Sequence, residues 1–329
     1  MSSSRTEERV RKRVSSVGGS GVHMPVISFT APLAGPTVAL GANLHGDECT
    51  GIGVAHALVD QLAASLQRGV VHIYPSLNPR GLDDGTRRMP GDTLDPNRAF
   101  PGAVRGTQAE RHAWRIWTDL TARRPDLYID LHTDAGGAMP YAIVDRVIRG
   151  RGGRMLAKRC IELAEASGLT VLREYPPDRY RRFELDRSLP GALINELAIP
   201  AVTLEVGPRR RIDPEAVRVA TRGVLGILTR LHMAQEPAPG HSSLRADRVW
   251  RRESGPRTTR TGILLPMVRP GMNFKRGAAL TQIRSLGGEI REVLRAPSDG
   301  FVVSLPERTS VGLGVATATL AVPEESSFA

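Results

Sequence analysis

From residue 22 onward, short apolar runs alternate with longer stretches in which apolar residues recur every three or four positions. The runs at 26–30, 37–42, 70–74, 127–131, 141–144, 170–172 and 201–206 have strand length. Between them, 51–66 places Ile52, Ala55, Leu58, Val59 and Leu62 at helical spacing, and 108–123, 154–167, 189–197 and 214–232 also read as helices. Strands alternating with helices predict an α/β fold with a largely parallel or mixed sheet. The first 20 residues are rich in Ser, Arg and Glu and read as a flexible polar tail. A Pro/Gly/Ser-containing stretch at 234–243 reads as a linker, and beyond it the pattern changes. Short β runs at 261–265, 279–283, 289–294, 301–305 and 315–321 are cut by Gly and Pro, with no long helical period. The expected organisation is a tail at 1–20, an α/β domain at 21–240 and an all-β domain at 241–329.

Charge narrows the function classes. The chain has 45 basic and 34 acidic residues, a formal charge of +11, yet only Lys12, Lys158 and Lys275 are lysines. The arginines are scattered and aromatic residues make up only 4%. That lacks the basic stripe with stacking side chains expected of a nucleic-acid binder, so no nucleic-acid partner is expected. The runs Arg11-Lys12-Arg13 and Arg209-Arg210-Arg211 read as solvated surface or as attraction for acidic ligands. Cys49 and Cys160 are the only cysteines, too few for a disulfide framework, which points to a reducing compartment. Neither a secretory leader nor an apolar run of roughly 20 residues is recognisable. A cytoplasmic protein without a membrane partner is therefore expected.

Four segments carry candidate chemistry. In Gly41-Ala42-Asn43-Leu44-His45-Gly46-Asp47-Glu48, a strand ends and a helix begins. One imidazole and one carboxylate three residues apart can converge from a single turn, a donor pair that suits zinc. The other reading makes Asp47 a helix cap, with His45 and Glu48 as loop residues. In 126–133, an apolar strand ends in Asp130-Leu131-His132. His132 is placed to be a third ligand, and Asp130 to orient an imidazole; otherwise His132 sits at the rim of the core. In 201–207, Glu205 closes an apolar strand. Beside a metal it would be a general base; otherwise it pairs with Arg209 or Arg210. The fourth segment runs from Asn78-Pro79 through Gly85-Thr86-Arg87 to Asp95-Pro96-Asn97-Arg98-Ala99-Phe100-Pro101-Gly102. A Gly/Pro-rich stretch of this length is unusual as mere connection. Arg98 with Asn97 could fork onto a carboxylate, and Arg87 could face an oxygen that gains charge.

Taken in order, His45-x-x-Glu48, Asn78-Pro79, Gly85-Thr86-Arg87, Asn97-Arg98-x-Phe100-Pro101-Gly102, Asp130-x-His132 and Glu205 resemble the succinylglutamate desuccinylase/aspartoacylase family of the zinc carboxypeptidase superfamily. The resemblance covers roughly 22–323. It implies a three-layer α/β/α catalytic domain with helices on both faces of a mixed sheet, followed by a small all-β barrel-sandwich-like domain. It implies one zinc ion held by His45, Glu48 and His132, with Glu205 as base and then acid. Asn97 and Arg98 match the positions that bind the substrate carboxylate, and Arg87 the position that polarises the scissile carbonyl, with Arg88 as its neighbouring competitor. Pro96 departs from the family, which usually has leucine before Asn-Arg. The tyrosine that the superfamily often supplies near the scissile bond has no clear counterpart; Tyr175 and Tyr180 are the candidates.

The implied activity is a zinc-dependent deacylase. It releases an acyl group from an N-acylated amino acid or related small amine by Glu-assisted attack of water. The alternative is a metallocarboxypeptidase acting on a short peptide, and a third reading is a metal-binding module without catalysis. The arginines near the site favour a small anionic substrate; the stretch flanked by Arg173, Arg179, Arg181 and Arg182 either lines its pocket or is an exposed loop, and homo-oligomerisation stays open. The β domain resembles the family's barrel-sandwich tail. It lacks a lysine at a hairpin tip, which argues against a carrier role and for a lid or rim over the site.

Overall fold

Every position of the run Leu127–His132 is buried, which demands cover on both faces of that strand. The computed structural model supplies it, and describes residues 10–19, 22–135, 137–148, 152–235, 245 and 249–324. The elements of the first half are β1 (Arg11–Gly19), β2 (Val22–Thr30), β3 (Leu33–Ala42), α1 (Thr50–Ser65), β4 (Arg68–Tyr74), α2 (Pro79–Asp84), α3 (Gln108–Ala122), β5 (Leu127–His132), β6 (Gly137–Ala138) and β7 (Tyr141–Val144). There follow α4 (Gly153–Glu165), β8 (Thr170–Arg173), α5 (Pro177–Arg182), α6 (Leu189–Leu197), β9 (Ala201–Glu205) and α7 (Pro214–Arg230). The remainder is β10 (Trp250–Ser254), β11 (Gly262–Pro266), β12 (Asn273–Phe274), β13 (Ala279–Arg284), β14 (Ile290–Arg295), β15 (Gly300–Leu305), β16 (Ser310–Val311) and β17 (Thr319–Pro323). Short 3-10 turns stand at Pro96–Arg98 and Leu185–Arg187.

The large sheet is mixed, as expected. β3 runs parallel to β4 and β5, and β5 parallel to β9. β2 is antiparallel to β4, and β7 is antiparallel to β9 but parallel to β8. α7 packs against α1 and α4; α1 also meets β3 and β5, while α6 meets β5 and β9. Leu40, Leu58, Tyr128, Leu131, Leu204 and Val224 belong to the one core that these layers bury. The register pairs Gly41 with Asp130 and His132 with Glu205. The carboxyl ends of β3, β5 and β9 therefore lie side by side, where open α/β sheets bind ligands.

Two features depart from the sequence reading. Within the stretch expected as a tail, Arg11–Gly19 pair residue for residue with β2 as an edge strand. Its side chains are mostly exposed, Val14 at 63% among them, so no apolar alternation marks it. The second departure lies at the expected domain boundary. Of the linker at 234–243, residues 236–243 lie outside the described residues. Beyond it, β10 adds parallel to β8, pairing Trp250 with Leu172, and β17, β15 and β12 continue the same sheet. Tyr141, Ile143, Leu172, Trp250, Phe301, Val303 and Ala321 form a buried cluster across that junction. A separate antiparallel sheet, ordered β14-β13-β11-β16, closes over Leu264, Ile283, Leu294 and Val311. No helix among the described residues is long and apolar enough to cross a membrane.

Candidate active site

The turn after β3 is built by one asparagine. Asn43 stands at φ +57°, a conformation that Asn tolerates better than most residues. Its Nδ2 donates to the carbonyls of His45, Gly46 and Glu48 at 3.0–3.2 Å, and its Oδ1 accepts from Ser76 Oγ at 2.7 Å. Gly46 lies against α2 so closely that a Cβ would meet the Gly81 carbonyl carbon at 1.9 Å. Asn78 caps α2 through Gly81 N and reaches back to the Leu44 carbonyl at 3.2 Å. The Asn78-Pro79 motif thus fixes the turn that carries His45 and Glu48.

Those two residues meet His132 from the end of β5. One nitrogen or oxygen from each of the three lies within 4.8 Å of the others, and all three side chains are buried. Both Nδ1 atoms face the Glu48 carboxylate, His45 at 2.9 Å and His132 at 2.8 Å. Both Nε2 atoms are held by other carboxylates: His45 by Asp95 Oδ1 at 3.1 Å, and His132 by Asp130 Oδ2 at 2.9 Å. A carboxylate on the outer nitrogen keeps the proton there and turns the inner lone pair toward a cation. Two imidazoles and one carboxylate so arranged fit zinc. Burial alone would raise Glu48, yet the two imidazoles hold it well below the usual carboxylate range. Burial would lower His132, yet Asp130 and Glu48 hold it well above the usual imidazole range. The acids of this cluster thus recruit positive charge, and a divalent cation can take the place of protons.

The other candidates line the same cavity of about 350 Å³, which is bounded by His45, Glu48, Arg87, Asn97, Arg98, His132 and Glu205 together with further residues. Glu205 ends β9 and is pushed up to about 8 by burial and by the charges of Asp134 and Glu48, with His132 and Arg252 acting in the opposite sense. Its Oε2 is buried without a hydrogen-bond partner among the described residues. It does not pair with Arg209, which instead donates to the Asp134 carbonyl at 2.7 Å and approaches Glu48 at 3.6 Å. Arg87 holds Asp95 Oδ2 through Nε at 3.0 Å and Nη2 at 2.8 Å, and its Nη1 is 3.3 Å from Glu48. Arg88 is exposed, so of the two neighbours Arg87 faces the cavity. Pro96 opens the short turn that Asp95 caps through Asn97 N. Asn97 Oδ1 accepts from Leu189 N at 2.8 Å, and Arg98 is oriented by the carbonyls of Phe183 and Asn97.

Tyr175 and Tyr180 do not line the cavity. Tyr180 OH donates to Asp145 at 2.7 Å, and Tyr175 OH meets Ser254 Oγ at 3.2 Å. Arg173 and Arg179 are also turned elsewhere, toward Glu324 and Glu253. The sequence reading missed Asp134, Asp145, Glu174 and Arg252, all of which line the cavity. Arg252 comes from β10, beyond the linker, and pairs with Glu174 Oε1 at 3.0 Å. A signal existed for Asp145: it follows the apolar strand Tyr141–Val144 as Glu205 closes Ala201–Glu205. None existed for Arg252, which lies in the charged run Trp-Arg-Arg-Glu-Ser.

A family model, the succinylglutamate desuccinylase/aspartoacylase catalytic domain, matches residues 34–231. The chain is similar to an N-alpha-acetyl-L-2,4-diaminobutyric acid deacetylase of Halomonas elongata, 26% identical over 304 residues, covering 89% of this chain and 84% of that one. Among solved structures, it resembles a succinylglutamate desuccinylase/aspartoacylase from Rhodobacter sphaeroides with TM-score 0.79 and 21% identity, over 98% of this chain and 97% of that one. It also resembles the product-bound ectoine utilization protein EutE (DoeB) from Ruegeria pomeroyi, with TM-score 0.78 and 21% identity over 96% of each chain.

Proposed function

The chain belongs to the succinylglutamate desuccinylase/aspartoacylase family, and on that premise we propose that it is a zinc-dependent deacylase of small N-acyl amino acids. The Halomonas elongata relative is named for removing acetyl from such a compound, which supports the class. One observation carries the reading: Glu205, whose Oε2 is buried without a hydrogen-bond partner among the described residues, stands in the same cavity as a His45–Glu48–His132 cluster whose outer nitrogens are already held by acids.

His45, Glu48 and His132 hold the zinc ion in this proposal. When bound, zinc supplies Lewis acidity to the amide carbonyl and to water. Arg98, with its guanidinium oriented by two backbone carbonyls, and Asn97 receive the substrate carboxylate through fork-like hydrogen bonds. Arg87 faces the oxygen on which negative charge develops as the carbonyl is attacked. Glu205 takes a proton from the attacking water and hands it to the departing amine nitrogen, so the products are a carboxylic acid and a free amine. Burial and neighbouring acids raise the proton affinity of Glu205, which suits a group that must take up a proton and release it near neutral pH.

The cavity size favours small substrates over polypeptides: about 350 Å³ lies at the lower end of ligand pockets. Arg252 of β10 contributes to its wall, so the β region has a part in shaping the pocket. The test is a zinc-loaded assay of N-acetyl and N-succinyl amino acids alongside short peptides. Hydrolysis of acyl amino acids is expected. Hydrolysis of the peptides alone would favour the carboxypeptidase reading, and zinc binding without any hydrolysis would favour a non-catalytic module.

A further inference from the structure

The cavity contains a carboxylate that the proposed reaction leaves without a task. Asp145 follows directly on β7 and lines the cavity. Its Oδ1 accepts from Tyr180 OH at 2.7 Å, and no cationic side chain lies within 4.0 Å of it among the described residues. Its neighbour Glu174 is different. That carboxylate pairs with Arg252 at 3.0 Å and accepts from Tyr175 N at 3.1 Å. Among the described residues, one of the two acids has a cationic partner and the other has none within 4.0 Å.

Asp145 cannot easily swing away to find a partner. Asn195 of α6 donates to the Arg146 carbonyl at 3.0 Å and accepts from Ile148 N at 2.8 Å. Arg146 Nε in turn donates to the carbonyls of Glu174 and Tyr175. Tyr180 is fully buried. Burial, with the charge of Glu174 added, pushes Asp145 up to about 7 against the opposing effects of Tyr180 and Arg98. That is the behaviour of an acid short of a counter-charge.

Arg98 presents the opposite situation in the same cavity. Its hydrogen bonds go to backbone carbonyls, and no carboxylate lies within 4.0 Å of it among the described residues. A preoriented base and a preoriented acid, each without an oppositely charged side chain within 4.0 Å among the described residues, complement a ligand carrying both a carboxylate and a cation. Ile143, Leu185 and Pro190 also line the cavity and suit a short methylene chain. We infer that Asp145 receives a side-chain ammonium of the substrate, so that the amino-acid part is a diamino acid rather than a neutral or dicarboxylic one. This rests on the deacylase reading above.

The experiment compares Nα-acetyl-L-2,4-diaminobutyrate, its neutral isostere Nα-acetyl-L-norvaline and Nα-acetyl-L-aspartate on the zinc-loaded protein. The wild type should prefer the cationic substrate over the neutral one by roughly tenfold or more in kcat/KM, as a desolvated charge pair provides. Asp145→Asn, which keeps size and the contact to Tyr180, should collapse that ratio toward one. A wild type that treats the cationic and neutral substrates alike, or prefers the aspartate compound, overturns the inference while leaving the deacylase reading intact. Calorimetry of the free amines separates the two failures. Tighter binding of L-2,4-diaminobutyrate than L-norvaline, abolished in Asp145→Asn, supports the Asp145 site even if no acyl compound is cleaved. Equal binding of the two amines by the wild type overturns it.

Discussion

The two sets of charged groups in this cavity are built on different plans. At the cluster formed by His45, Glu48 and His132, each imidazole is clamped between two carboxylates, and Arg87 and Arg209 approach the shared Glu48. Around Asp145, Glu174 and Arg252, charges are nearly balanced, with one internal ion pair and one acid left over. The first plan turns three carboxylates toward two imidazoles, the arrangement that the proposed cation would use; the second leaves Asp145 without a cationic side chain within 4.0 Å among the described residues. On the proposed function, the difference teaches that similar residue types can serve as metal site or as ligand wall according to how many of their charges the protein itself satisfies.

The comparison is most strongly tested at Glu205, which stands in the same cavity as both groups. Glu205→Gln removes the proton acceptor while keeping size, and should cut kcat by about 10²–10⁴-fold with zinc content retained. A variant near the wild-type rate would show that this carboxylate moves no proton. Next in size is Asp130→Asn, which weakens the hold on His132 Nε2. It should lower zinc affinity by about 10–100-fold in a competitive chelator titration, whereas Asp145→Asn should leave zinc affinity unaltered within error. Equal effects of the two substitutions would erase the distinction between the plans.

A smaller effect is expected from Arg252→Met. The Arg252 side chain is 21% exposed and its partner Glu174 only 6%. Losing the arginine leaves a nearly buried carboxylate unpaired, at a cost on the order of 2 kcal/mol after allowing for partial exposure. Denaturant unfolding should show this loss, and adding Glu174→Gln should recover most of it. If the single and double variants are equally destabilised, the pair is not what holds this wall. Smallest is Leu286→Ser, beyond the end of β13 and 94% exposed, which should change stability by no more than about 0.5 kcal/mol and spare both zinc binding and turnover.

The convergence of His45, Glu48 and His132 was readable from the chain because each is marked locally. His45 and Glu48 share one turn, Asp130 and His132 share one strand end, and Glu205 interrupts an apolar run, so each announces itself within a few residues. The family order then joined the segments. The other wall is assembled by long-range pairing: Arg252 reaches Glu174 only because β10 docks beside β8, and nothing in its charged run marks that partner. Tyr180 and Tyr175 illustrate the same limit, since their hydroxyls turn to Asp145 and Ser254 rather than into the cavity. The strands and helices of the α/β part were legible through apolar period. The edge strand β1 was not, because pairing with β2, rather than burial of one face, holds its exposed residues.

The central claim is that His45 and Glu48 of one turn, with His132 from a distant part of the chain, hold one divalent cation beside Glu205. Crystals of the zinc-loaded protein measured at the zinc absorption edge test it most directly. The account predicts a single strong anomalous peak contacted by Nδ1 of His45, Nδ1 of His132 and the carboxylate of Glu48. A peak on other residues, or contact through the Nε2 atoms that Asp95 and Asp130 now hold, would contradict it.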